Sequence, residues 1–418
     1  MSTTAPDAPR SSSWWWWGVA ALVLLRVIAL VAALGSHPDA ERSAIGGDAV
    51  RYEQIAEAAG TPYRDVAIEY PPGAWVVVEA VHGQDLLDTQ TRLGISQLVC
   101  DLVAAAVLAW GFGRRAGFAY LVLGAPFALY PFFYLRIDLV SVALAAASLA
   151  VLYRRRDLIG DVAGGALLAA AVYTKLWPFA LLPLLVVLRR WRALGACALV
   201  GGAAALVWVG AAGLDGVVQV VSFRGARGWQ LESLGGMVVH MADPDRAHVE
   251  AGAWRTGVMP LGSRQLLMIL SLTTIVAAWW WARKAVDGRD LTPAARTRIV
   301  FGLAPSACVL GLLVFAPIIS PQYILWLLPW VAITWAAAPE HWFVAATTLA
   351  VSALSTWSLA SILGQIHGDL YATVPVLVRN LLLVGLLAVT LAELATSASQ
   401  PAPAPEGDEE RRAQQEHR

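Results

Sequence analysis

The chain has 418 residues, 58% of them hydrophobic and only 14% charged, with 30 basic side chains against 30 acidic ones and a mean hydropathy of +0.60. Soluble domains carry roughly 25% charged and about 45–50% apolar residues, so the excess requires lipid, and repeated apolar runs of about 20 residues exclude a soluble enzyme on one anchor. A net charge of zero offers no phosphate-seeking field and disfavours a nucleic-acid partner.

Residues 1–13 are rich in Ser and Pro and are expected to be a disordered tail. The first apolar run, 14–35, is too long for the core of a signal peptide and carries Arg26 near its centre, so it reads as a retained first helix. A loop follows over 36–92. Within it, Asp48 comes after two glycines and before a stretch of helix formers, which suits an N-cap residue. On helical spacing Asp48, Tyr52 and Ile55 share one face, so the same carboxylate could instead point inward from a short surface helix. Further on, Tyr63, Asp65, Glu69 and Tyr70 mix carboxylates with rings ahead of a Pro-Pro-Gly turn. That mixture suits a carbohydrate surface, and the turn alone explains part of it. The apolar piece 73–81 is expected to dip in and return under a cover of protein.

Further spans are predicted over 93–113, 117–134, 138–153, 159–174, 176–189, 193–212, 263–283, 299–317, 322–338, 341–363 and 374–395. Together these make an all-α, polytopic transmembrane bundle of about 11–13 spans. Arginine clusters at 114–115, 154–156, 189–192 and 283–298 set its orientation, because cytoplasmic loops collect Lys and Arg. Both termini then lie in the cytoplasm, and the loops 36–92 and 213–262 lie outside. Pro126, Pro131, Pro178 and Pro183 interrupt the central helices, and broken helices in membranes usually surround a polar cavity. The tryptophans at 14–17 and 279–281 read as interface anchors.

A charge at membrane depth is usually functional or paired. Arg26, Asp101, Arg136, Asp138, Lys175 and Arg379 are such candidates. Arg136 and Lys175 fall at the outer ends of short helices and could hold an anionic lipid phosphate; pairing with Asp138 or Asp101 is the alternative. In the second loop Arg224, Arg227, Trp229, Glu232 and His240 could clamp phosphate and sugar, or Arg224 or Arg227 could simply pair with Glu232. Gln322 and Tyr323 occupy a polar turn, Ser320 to Trp326, between two spans. The 396–418 segment is Pro- and charge-rich and is expected to be a second disordered tail. Cys100, Cys197 and Cys308 lie in apolar runs and read as small core residues. Nothing matches a phosphate-binding loop, a dinucleotide fingerprint or a zinc-protease helix, and the seven histidines are scattered.

Asp48 and Tyr52, then Tyr63 and Tyr70-Pro71-Pro72, Lys175 ahead of Trp177-Pro178, and the Ser320 to Trp326 turn together resemble glycosyltransferase family 87. This is a branch of the GT-C membrane glycosyltransferases that includes actinobacterial polyprenyl-phosphate-mannose-dependent enzymes. The resemblance spans roughly 14–395 and is best over Gly46 to Gly73. It implies a multi-pass helical fold with an outward-facing site and a catalytic carboxylate in the first outer loop, here Asp48. It also implies inverting transfer of a sugar from a polyprenyl-phosphate donor to a glycolipid or glycan. Tyr52, Asp65, Glu69, Tyr70, Arg136, Asp138, Lys175, Arg224, Arg227, Glu232, His240, Gln322 and Tyr323 are then the substrate-binding candidates. No adjacent Asp-x-Asp or Glu-x-Asp is present, so no cofactor is expected, though a divalent metal stays possible. A transporter or lipid flippase is the rival reading, since broken helices and buried charges serve it too.

Overall fold

The structure is a computed structural model that describes residues 14–35, 47–222, 225–250, 252–287 and 289–399. Both predicted tails, 1–13 and the part of 396–418 beyond Ser399, fall outside the described residues, as do 36–46 of the first loop and Arg224 of the second.

Helices dominate. They run in chain order as α1 (Trp14–Gly35), α2 (Gly47–Glu57), α3 (Pro72–Val81), α4 (Leu86–Phe112), α5 (Arg114–Leu123), α6 (Asp138–Arg154), α7 (Leu158–Thr174), α8 (Pro183–Val187) and α9 (Trp191–Ser222). Beyond these come α10 (Leu234–Ala242), α11 (Ser263–Val286), α12 (Pro293–Thr297), α13 (Ala304–Val314), α14 (Leu328–Ala337), α15 (Trp342–Ala360), α16 (Ile362–Ile366) and α17 (Leu370–Ser399). Helix α17 continues four residues past the predicted 395, so 396–399 are helical rather than part of a tail.

Every predicted span has a counterpart, in two classes. Among the described residues seven helices are long and apolar enough to cross a membrane. The other five predicted spans are short or broken. Pro126 and Pro131 sit in the first turns of two 3₁₀ segments, Ala125–Leu129 and Pro131–Leu135, that follow α5. Pro178 and Pro183 divide 176–189 into a 3₁₀ segment, Trp177–Leu181, and α8. Pro321 opens another 3₁₀ segment, Pro321–Trp326, ahead of α14. Proline lacks the amide that would continue a helix, which is why the interruptions fall there. The 17-residue helices α6 and α7 reach only about 25 Å, too short to cross comfortably alone. They are covered by protein instead: Ser141 and Ser148 of α6 are fully buried, donating to Ala171 and Gly164 carbonyls of α7. By contrast α1 and α9 turn Leu24, Val31, Leu206 and Val207 outward as lipid-facing surface.

The 10-residue helix α3 cannot span. Its Gly73 explains the Pro-Pro-Gly turn, because a Cβ there would stand 2.6 Å from the Tyr173 carbonyl oxygen, so only glycine lets α3 close onto α7. Helix α9 extends ten residues past the predicted end by bending at Gly213, whose φ of 69° is open to glycine. The segment 213–262 then folds α10 against a three-stranded antiparallel sheet, β1 (Trp229–Gln230), β2 (Ala247–Glu250) and β3 (Ala253–Thr256), with β3 central.

The basic turns gather at one end of the bundle. Arg190 pairs with Asp161 at 2.6 Å and reaches the Arg155 carbonyl, Arg154 donates to the Trp110 carbonyl at 2.8 Å, and Asp287 takes both Arg189 and Arg283. Helix α6 runs from Asp138 to Arg154, so Asp138 and its neighbours lie at the opposite end. Of the intramembrane charges, Asp101 is held within the bundle by Arg26 at 2.8 Å, with the Tyr120 and Tyr134 hydroxyls donating to it. It therefore pairs with neither Arg136 nor Lys175. The three cysteines are free thiols, Cys197 and Cys308 buried and Cys100 partly so.

Candidate active site

A cavity of about 800 Å³ opens at the end of the bundle away from the basic turns. One wall comes from α2 and the loop after it: Asp48, Arg51 and Gln54, then Glu69, Tyr70 and Pro71. The floor comes from the helix breaks, with Arg136 ahead of α6, Lys175 and Trp177 after α7, and Gln322, Tyr323 and Trp326 ahead of α14. Gln230, Glu232, Trp254 and Arg255 arrive from the 213–262 segment, and Leu272, Ile275, Leu312 and Leu313 of α11 and α13 make an apolar side. Proline-broken helices thus do what the sequence suggested, presenting polar residues at their ends.

Asp48 is the second residue of α2, not the residue preceding it, and its carboxylate pairs with Arg136. The helix buries Tyr52 and Ile55 on the face predicted to be shared with Asp48. Glu69 is gripped by Arg51 at 3.2 and 2.9 Å, and Arg51 also donates to the Ala67 carbonyl. The loop between α2 and α3 is fixed by Gln219 of α9, which donates to the Tyr63 carbonyl at 2.7 Å and accepts from the Ile68 amide at 3.3 Å. Tyr63 adopts φ of 67° in this loop and donates its hydroxyl to the Tyr70 carbonyl at 2.7 Å. The Tyr52 and Tyr70 rings meet edge-on at 5.8 Å. Burial pushes both phenols up, so they stay neutral donors.

On the floor Lys175 pairs with Asp138 at 3.4 Å and lies over the Tyr70 and Tyr323 rings at 5.2 and 5.5 Å. That is one of the internal pairings the sequence allowed. Asp138 also accepts from the Trp326 indole at 2.8 Å, and the rings of Tyr323, Trp326 and Trp177 stack in series at 4.1 and 5.6 Å. Lys175, Arg136 and Arg255 all line the same cavity as Tyr323, Lys175 directly over its ring. Among the described residues, the Trp177 indole nitrogen and the Gln230 and Gln322 side-chain oxygens have no protein partner, although all three residues line the cavity.

Several expectations for the second loop change. Glu232 is buried and pairs not with Arg227 but with Arg379 of α17 at 2.7 Å; its other oxygen accepts from Ser358 at 2.7 Å. Arg227 is exposed and off the cavity; its backbone amide donates to Glu250 at 2.8 Å and its carbonyl accepts from the Met259 amide at 3.0 Å. His240 is buried behind Glu232, its ring nitrogen 2.5 Å from the Gln365 carbonyl, and does not line the cavity. Asp65 closes its own turn by accepting from the Thr61 amide at 2.8 Å. The carboxylate of Asp138 and the ring of Tyr52 lie behind the lining rather than in it. Arg51 and Arg255 are cavity residues the sequence reading missed. Arg255 is placed by β3, donating to the Glu250 and Gly228 carbonyls at 3.1 and 2.9 Å. Burial pushes the Glu250 carboxyl up, but the Arg227 and Gly228 amides, with Arg255 and His248, together hold it below its ordinary value.

Among the described residues no group of three or more His, Cys, Asp or Glu side chains is arranged to hold a metal ion. A family model described as glycosyltransferase family 87 matches residues 69–315, more than half of the chain. Asp48 and Tyr52 precede the matched segment, and Gln322 and Tyr323 follow it. No curated protein matches the sequence. Two solved structures are similar at 17% identity, each over 93% of this chain and 78% of the other: ArnT from Cupriavidus metallidurans in the apo state, TM-score 0.44, and the same protein bound to undecaprenyl phosphate, TM-score 0.41.

Proposed function

This chain belongs to glycosyltransferase family 87, and from that premise we propose that it moves a mannosyl group from a polyprenyl-phosphate donor to a glycolipid or glycan acceptor at the outer face of the membrane, with inversion and by GT-C-type chemistry. The observation that carries the reading is the composition of the cavity: Asp48 and Glu69 on one wall, the cations Arg136, Lys175 and Arg255 in the same lining, and the apolar side of α11 and α13.

A donor of this kind has a phosphate as its leaving group, which needs cations rather than an acid. Asp48 takes the proton from the acceptor hydroxyl. The hydroxyl oxygen bonds to C1 of the sugar as the bond from C1 to the phosphate oxygen breaks, and the new negative charge falls to Lys175 and Arg136. Asp138 keeps Lys175 in place, while the Tyr323 and Tyr70 rings leave the ammonium weakly hydrated and ready to meet an anion. Glu69, Gln230, Gln322 and the Trp177 indole supply partners for sugar hydroxyls. The hydrocarbon tail lies along Leu272, Ile275, Leu312 and Leu313, on the side of the cavity facing lipid. The gathering of basic turns at the other end supports an outward-facing cavity, because cytoplasmic loops collect Lys and Arg.

Purified protein incubated with labelled polyprenyl-phosphate-mannose and a membrane lipid extract tests this reading. A labelled glycolipid is expected. Asp48→Asn should lower transfer by roughly 10²–10⁴-fold with insertion unchanged, the range for loss of a general base. Full activity in that variant removes Asp48 from the role, and movement of lipid across vesicles with no new glycosidic bond identifies a flippase instead.

A further inference from the structure

The carboxylate assigned as base and a cation assigned to the donor phosphate are, in this structure, paired with each other. Arg136 is buried at the mouth of α6, with side-chain exposure of 9%, while Asp48 is 29% exposed in the cavity wall. The other cavity pairings differ in kind. Arg51 holds Glu69 through two hydrogen bonds and a third to a backbone carbonyl, and Lys175 shares Asp138 with the Trp326 indole. Those carboxylates have backing that persists if a ligand arrives. Asp48 is in contact with Arg136, and the remaining charged and titratable groups of this region are Arg51 on its own helix, Glu69 and Tyr70 on the next loop, Tyr130, Lys175, Asp138 and Tyr323 at the helix breaks, and Glu232 and Arg255 from the 213–262 segment.

Resting on the reading above, we infer that Arg136 is an exchange residue: the donor phosphate and the Asp48 carboxylate compete for one guanidinium, so that donor binding releases the base. Before the donor binds, one oxygen of Asp48 is held by the guanidinium, whose positive charge makes the carboxylate a weaker base for a hydroxyl proton. The donor phosphodiester, a monoanion, lies among the cavity cations Lys175, Arg136 and Arg255 and draws the guanidinium toward itself, and the pull grows as the leaving phosphate gains its second charge. Asp48 is thereby left facing the cavity with its lone pairs available. The exchange ties activation of the acceptor to the presence of the phosphate leaving group, and a neutral sugar lipid would leave the pair closed. Electrostatic competition of this sort is reciprocal: whatever the phosphate gains from Arg136 is reduced by what Asp48 loses.

The test uses polyprenyl monophosphate as the probe and needs no acceptor. Its affinity for the purified full-length protein in detergent is measured for wild type, Asp48→Asn, Arg136→Gln and the double variant, with Asp48→Ala and Arg136→Lys as parallel substitutions and thermal unfolding as the check on folding. Removing the base is expected to tighten phosphate binding about five- to tenfold, the scale of a half-exposed ion pair. In the Arg136→Gln background the gain should vanish, because the competitor has nothing left to compete for. Unchanged or weaker binding by both Asp48 variants overturns the exchange, as does a gain that persists without Arg136. If wild type itself fails to bind polyprenyl monophosphate, the leaving group of the proposed reaction, the polyprenyl-phosphate reading falls with it, an outcome distinct from either of those.

Discussion

The buried pair of Glu232 and Arg379 shows how much a single side chain can carry at the cavity rim. Both carboxylate oxygens are engaged, one by Arg379 and one by Ser358, and Arg379 and Asn380 also donate to the Glu232 backbone carbonyl at 2.8 and 3.1 Å. Two groups removed from water are stable only while each satisfies the other, so removing one partner of such a pair costs about 3–5 kcal/mol. Arg379→Met should therefore lower the unfolding temperature in detergent more than the double variant Arg379→Met with Glu232→Gln, which leaves no stranded charge. Equal losses in the two proteins would mean the pair contributes little beyond its volume. The sequence marked both residues, Glu232 in a loop and Arg379 as a charge at membrane depth, yet it could not join them, because 147 positions separate them. For Asp48 the helix that presents it and the rings around it lie close in sequence, so periodicity showed the shared face with Tyr52 and Ile55, but it left an N-cap role open and the resemblance alone marked the carboxylate.

At the scale of elements, length and proline spacing found each span, while the role of the short ones depended on what covers them. Pro126 and Pro178 told where helices break, and the breaks do line the cavity through Tyr130 and Trp177; Pro321, read only as part of a polar turn, opens a third break that brings Gln322 there. What stayed hidden was the small sheet, since β1 has two residues and β2 and β3 four each, too short to alternate visibly. Arg255 reaches the cavity only because that sheet forms, and Glu250 closes it by accepting the Arg227 and Gly228 amides at 2.8 Å each. A carboxyl held below its ordinary value stabilises the fold fully above the unfolded pKa, about 4.3 for glutamate, and the contribution is lost as pH falls through the lower folded value. Tryptophan fluorescence from Trp229 and Trp254 should accordingly report loosening of the sheet in acid below about pH 4. In Glu250→Gln the transition should be absent, with the sheet looser at neutral pH; an acid transition that survives the substitution would trace to another carboxylate.

Over the whole molecule, the zero net charge conceals a polar arrangement along the membrane normal. Arg154, Arg190 and Arg283 meet at one end through backbone carbonyls and a few aspartates, whereas at the other Asp48, Glu69, Asp138 and Glu232 are each paired with a cation. Arginine-rich turns are retained on the cytoplasmic side during insertion because moving them across the membrane is unfavourable. On the proposed reading the end that holds the cavity is directed outward, where a lipid-linked donor would reach it from the plane of the bilayer. Single cysteines at exposed sites of the two ends make this measurable, the native thiols being buried or partly so. Asp245→Cys, beside α10, should react with an impermeant maleimide on intact cells, while Arg156→Cys, between α6 and α7, should react only after permeabilisation. The reverse pattern would place the cavity on the cytoplasmic side, and a lipid-linked donor would then have to be made and used on one face, with no need for a step that carries it across.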